Sequence, residues 1–104
     1  MSAMSETAHF AIWATDRPGM AAERARVREA HRARLREGKP GALKVVLGGP
    51  TTDEEGAMNG SLLVVEASDI AAVRDFIAGD PYVLSGVYDT VEVRPWRWGL
   101  GRIA

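Results

Sequence analysis

Ser61-Leu62-Leu63-Val64-Val65-Glu66-Ala67-Ser68-Asp69-Ile70-Ala71-Ala72-Val73-Arg74-Asp75-Phe76-Ile77-Ala78-Gly79-Asp80-Pro81 decides the fold. Its first six residues are a short aliphatic, partly β-branched run, the composition of a strand. The period then lengthens. Ile70, Val73 and Ile77 recur at three and four residues with Phe76 beside them, the buried stripe of a helix. Ser68 is placed to cap that helix, Gly79 ends it and Pro81 keeps it ended. A strand is followed at once by a helix.

The first part of the chain carries the same unit. His9 to Thr15 alternates Phe10, Ile12 and Ala14 with His9, Ala11 and Trp13, a period of two. Asp16-Arg17-Pro18-Gly19 is a turn. A helix follows from Met20 to about Glu37, halted by Gly38-Lys39-Pro40-Gly41. Ala42 to Leu47 reads as a second strand, Gly48-Gly49-Pro50 through Asn59-Gly60 as a polar loop, and Val87, Val91 and Val93 as a fourth strand closed by Pro95.

This βαββαβ order predicts an α+β, ferredoxin-like fold, with both helices on one face of a four-stranded, mainly antiparallel sheet. The helices are expected to run in one direction, with their C-terminal ends at the same edge. Val45-Val46-Leu47 and Leu62-Leu63-Val64-Val65 are apolar on consecutive residues, which predicts cover on both sheet faces. A second copy of the chain is the simplest cover, so a homodimer through the open sheet face is expected.

Composition sets the class. One domain is expected across the 104 residues, with 1–7 disordered and 96–104 a C-terminal tail. Hydrophobic content of 46% and charged content of 26% are those of a globular protein. The net charge of −1 argues against nucleic acid as a partner. The absence of cysteine rules out a disulfide frame, a thiolate nucleophile and a Cys-based metal site. Met1 to Thr7 lacks the basic start and apolar run of a signal peptide, and no stretch reaches the roughly 18–20 apolar residues of a membrane helix. A cytoplasmic protein with no membrane association is expected.

His31 is the candidate for chemistry. Val27, His31 and Leu35 lie four apart, so a titratable ring sits on the apolar stripe of a basic helix. Buried there, it needs a hydrogen-bond partner. Asp80, just after the second helix, could hold one ring nitrogen and leave the other for proton transfer. Spacing alone leaves a second reading open, in which His31 is a satisfied core residue and Asp80 a turn residue. Arg28, about 60° around the helix from His31, could bind a substrate carboxylate, and Tyr82 and Ser85 could offer hydroxyls to a ligand. The remaining arginines of the helix, with Glu23, Glu29 and Glu37 among them, read as a solvated face. Gly48-Gly49-Pro50 opens no helix and is not a phosphate cradle. No carboxylate stands at metal-ligand spacing from His31, so neither metal nor cofactor is expected. Trp96 and Trp98 are expected to pack on the domain or its partner chain.

Arg28-x-x-His31-x-x-x-Leu35, Leu47-Gly48-Gly49-Pro50, Gly60-Ser61-Leu62-Leu63-Val64-Val65-Glu66 and Asp80-Pro81-Tyr82 together resemble the successive blocks of the YCII-related (YciI-like) family. Asp16-x-Pro18-Gly19 and Val91-Glu92-Val93-Arg94-Pro95 resemble its ends. The resemblance implies a dimeric α/β barrel with an active site on a His–Asp pair, here matching His31 and Asp80. It also implies, for some members, elimination of chloride from chlorinated ring-cleavage products. Arg32 departs from the family, which commonly has an apolar residue there, and 51–59 falls in a region that varies among relatives. Two functions are therefore expected to compete. One is a cofactor-independent lyase or isomerase of a small, anionic metabolite, with His31 as general acid/base; the other is a non-catalytic metabolite-binding module.

Overall fold

The computed structural model describes residues 7–101. The expected disorder of 1–7, Thr7 apart, and the last three residues of the expected tail lie outside the described residues. The elements are β1 (Ala8–Asp16), α1 (Ala21–Glu37), β2 (Leu43–Thr52), β3 (Met58–Ala67), α2 (Ile70–Ala78), a short α3 (Pro81–Leu84) and β4 (Tyr88–Trp96). The strands form one sheet in the order β2-β3-β1-β4, with every neighbouring pair antiparallel. This is the ferredoxin-like arrangement, with α3 added before the last strand. Among the described residues no helix is long and apolar enough to cross a membrane.

The period-two pattern of β1 sorts its side chains. Phe10, Ile12 and Ala14 are buried, while Trp13 between them is 58% exposed. The register sets Phe10 beside Val65 and Ile12 between Leu63 and Val93. Val73, Phe76 and Ile77 of α2 complete this core. The other sheet face carries the cross-strand pair Trp13 and Leu62, the latter 46% exposed.

Four expectations are corrected. The helix α2 is capped by Asp69, whose carboxylate accepts from the Ala72 N–H at 2.9 Å, rather than by Ser68. The region 48–60 is mostly strand: β2 runs through Gly48-Gly49-Pro50 to Thr52, and only 53–57 turn, held by the Asp53 carboxylate on the N–H groups of Glu55 and Ala57. Pro50 and Pro95 are tolerated because β2 and β4 are the sheet edges, where a missing N–H breaks no second ladder. For the same reason Pro95 does not close β4, and Trp96 is its last residue rather than the first of a tail. Finally, the helices do not run in one direction. Each returns against the strand before it, and β1 and β3 are antiparallel, so α1 and α2 are antiparallel too.

The end of α1 is set by Gly38, which adopts φ 61° and returns its N–H to the Arg34 carbonyl at 2.9 Å. A Cβ there would lie 2.6 Å from the Leu43 carbonyl oxygen, so glycine alone lets β2 start this close.

Candidate functional site

The site grows from α1. A helix places residues four and seven apart on one side, and Arg24, Arg28 and His31 all face the same cavity, of about 360 Å³. Its other wall is β2, where Val45, Leu47, Gly48, Gly49 and Pro50 supply no charge. At Gly48 a Cβ would meet the end of the Leu63 side chain, which would have to shift to make room for it. Arg32, Leu35 and Arg36 extend the α1 wall, and Ser61, Leu63 and Tyr82 complete the lining.

His31 and Asp80 meet. Nδ1 of His31 lies 2.8 Å from Oδ1 and 3.0 Å from Oδ2 of Asp80, and the two residues are 5% and 0% exposed. The contact arises because Asp80-Pro81 turns the chain into α3, which packs on α1. Asp80 caps that short helix, its Oδ1 accepting from the Tyr82 N–H at 2.8 Å, and Pro81 stands at the first helical position. One carboxylate thus both starts α3 and faces the imidazole. A carboxylate that only accepts fixes the proton on Nδ1, leaving the Nε2 lone pair uncommitted. Nε2 has no hydrogen-bond partner among the described residues and is not among the enclosed unpartnered atoms, so it opens on the cavity. The Tyr82 ring stacks on the imidazole, centroids 3.8 Å apart and planes at 18°.

A second buried pair stands beside the first. Arg24 is 5% exposed and spends its guanidinium on the Asp16 carboxylate at 2.8 Å, the Gly60 carbonyl at 2.6 Å and the Ser61 hydroxyl at 3.0 Å, with the Tyr82 hydroxyl at 3.4 Å. Burial opposes the Arg24 charge most strongly, yet the hydrogen bond and charge of Asp16 leave its pKa raised. The Tyr88 hydroxyl donates to Ser61 at 2.7 Å, and burial holds its pKa well above the ordinary phenol. Burial also raises Tyr82, against the pull of Arg24 and Arg28.

Of the residues singled out in the sequence, His31, Arg28 and Tyr82 line the cavity and Asp80 sits behind His31. Ser85 does not join them. It is the C-cap of α3, it does not line the cavity, and its buried Oγ has no partner among the described residues. Arg24, expected on a solvated helix face, is instead buried, and Asp16, Ser61 and Tyr88 are not among the site residues that the sequence singles out. The spacing of Arg24, four and seven residues before Arg28 and His31, was the available signal. Trp98 donates its indole N–H to His9 Nε2 at 3.1 Å, and neither residue lines the cavity.

Comparison with known proteins gives a consistent answer. The profile of the YCII-related domain matches residues 8–97. An uncharacterized protein of Haemophilus influenzae is 33% identical over 94 residues, covering 86% of this chain and 96% of that one. Protein YciI of Escherichia coli is 32% identical over 98 residues, covering 85% and 95%. Among solved structures, 5-chloro-2-hydroxyhydroquinone dehydrochlorinase of Burkholderia phenoliruptrix, in complex with 2,5-dihydroxybenzoquinone, superposes with a TM-score of 0.77 at 32% identity, covering 88% of this chain and 95% of that one.

Proposed function

This chain belongs to the YCII-related family, and we propose that within it the chain is a small-molecule enzyme, a lyase or isomerase, with His31 as its general acid/base. One observation carries the reading: His31 is held by Asp80 through Nδ1 while Nε2 faces a cavity of ligand size. The similar dehydrochlorinase supports elimination as the reaction class.

In such a step a substrate O–H or C–H bond breaks and its proton passes to Nε2. The electron pair left behind forms a new double bond, and an anionic leaving group departs with its bonding pair. No oxidant or reductant enters. Asp80, a positioning group, keeps the ring in the correct tautomer and stabilises the imidazolium that forms. The stacked Tyr82 ring holds the imidazole plane. A general base of this kind is worth roughly 10²–10⁴-fold in rate.

The test is release of the leaving group from halogenated hydroquinones by the purified chain, with His31→Ala as control. Turnover that falls at least 100-fold in a folded His31→Ala protein supports the proposal. Saturable binding without turnover would assign the chain to the binding-module class instead. We propose further that a second copy covers the outer sheet face, where Trp13 and Leu62 lie exposed side by side. Sedimentation should show a dimer, and Trp13→Glu should shift it toward monomer; a wild-type monomer would refute the cover.

A further inference from the structure

Six arginines lie on α1, and the structure divides them evenly. Arg24 is saturated by Asp16 and its neighbours, Arg26 pairs with Glu23 on the exposed face, and Arg34 donates to the Phe76 carbonyl at 2.8 Å with its guanidinium over the Phe76 ring. Arg28, Arg32 and Arg36 have no side-chain hydrogen bond or ion pair among the described residues, and all three line the cavity. They are spaced by four, one above another along about 12 Å of helix. No carboxylate shares the lining. Like charges four apart on a helix repel, so this row is a concentration of uncompensated positive charge beside His31, in a chain whose net charge is −1. The facing wall offers only aliphatic side chains, Gly48, Gly49 and Pro50. The cavity is therefore two-sided, with an apolar surface for the body of a ligand and a row of planar, five-donor cations for an oxyanion.

We propose that Arg32 and Arg36, together with Arg28, form an oxyanion-binding row that selects substrates bearing a carboxylate or phosphoryl group in addition to the group whose proton His31 takes. The inference rests on the reading of His31 for where the reaction occurs, but not for what the row binds. Guanidinium groups meet both oxyanions bidentately, which gives orientation as well as affinity. An anchored anion would fix the distance of the reacting atom from Nε2, as positioning requires.

Calorimetric titration of the full chain at low salt with hydroquinone, 2,5-dihydroxybenzoate and 4-hydroxyphenyl phosphate tests the row. At least one anionic probe is expected to bind about tenfold or more tighter than hydroquinone, and the tighter of the two assigns the row to carboxylate or phosphoryl. In Arg32→Leu/Arg36→Leu the ratio should fall below about twofold, while Arg26→Ala, which removes a cation outside the cavity, should keep it. Equal binding of all three probes, no saturable binding of either anion, or an equal loss of the ratio in Arg26→Ala would overturn the proposal. His31→Ala separates the two readings: a row of this kind keeps its anion preference there, whereas the acid/base reading requires that turnover be lost.

Discussion

Asp16–Arg24 and Asp80–His31 both tie α1 to its surroundings through a carboxylate at 2.8 Å, and both are nearly closed to solvent. They differ in what is left over. Arg24 has carbonyl, hydroxyl and carboxylate acceptors around its guanidinium, so the pair has nothing to offer a ligand and serves to join α1, the end of β1 and the start of β3. His31 spends one nitrogen on Asp80 and keeps the other for the cavity. Burial with saturation marks a fastening. Burial with one group spare marks a place where a proton can move.

The largest difference should appear when each carboxylate is changed to its amide. In Asp80→Asn the bond from the Tyr82 N–H can survive, but a neutral amide cannot stabilise an imidazolium and no longer fixes the proton on Nδ1. Turnover should fall about 10²–10⁴-fold with a modest change in melting temperature. Asp16→Asn should do the reverse, losing more in melting than in rate. An equally deep loss of rate in a folded Asp16→Asn protein would erase the distinction between the pairs.

Next in size is Arg24→Ala. Removing one member of a buried pair strands the other, at a cost of about 3 kcal/mol, and here it also frees the Gly60 carbonyl and the Ser61 hydroxyl. Urea unfolding measures it. A loss below about 0.5 kcal/mol, the range of ordinary surface changes, would mean that the pair fastens nothing.

The same contrast explains what the sequence could disclose. His31 was legible because a helix of period 3.6 fixes its face from Val27 and Leu35 alone. Asp80 was legible as a residue after a helix, but the route by which it reaches His31 was not, since that depends on β1 and β3 being antiparallel and on α3, a four-residue element too short to leave a period. Arg24 was one arginine among six; its partners come from the end of β1 and from β3, brought together by strand register that no local pattern encodes. The β2–β3 hairpin was misjudged because Gly and Pro are turn residues in isolation, whereas on an edge strand beside Leu63 they fit the ladder and leave the cavity open. The ferredoxin-like order, carried by long apolar periods, survived all of these local errors.

A smaller effect is expected at Ser85, whose Oγ is buried with no partner among the described residues. An unmet buried hydroxyl is a net cost, so Ser85→Ala should leave stability unchanged or raise it by up to about 1 kcal/mol. A clear loss in urea unfolding would reveal a polar contact there, and would bring α3 closer in character to the saturated Arg24 cluster.

The smallest effect separates the two regions by pH. Tyr88 belongs to the Arg24 side, donating to Ser61, and burial raises its phenol above the ordinary 10.0. Above pH 10 the unfolded chain therefore releases a proton that the folded chain keeps, and each increment of pH favours unfolding. Stability contributed by the neutral phenol is whole well below pH 10 and is lost progressively as pH rises through and above it, by about 0.8 kcal/mol at pH 10.5. Thermal melting from pH 8 to 10.5 should show this decline, and it should be shallower in Tyr88→Phe, which cannot ionise. An identical decline in the two proteins would show that the Tyr88 hydroxyl reaches solvent, and that the fastening around Arg24 is wetter than the cavity beside His31.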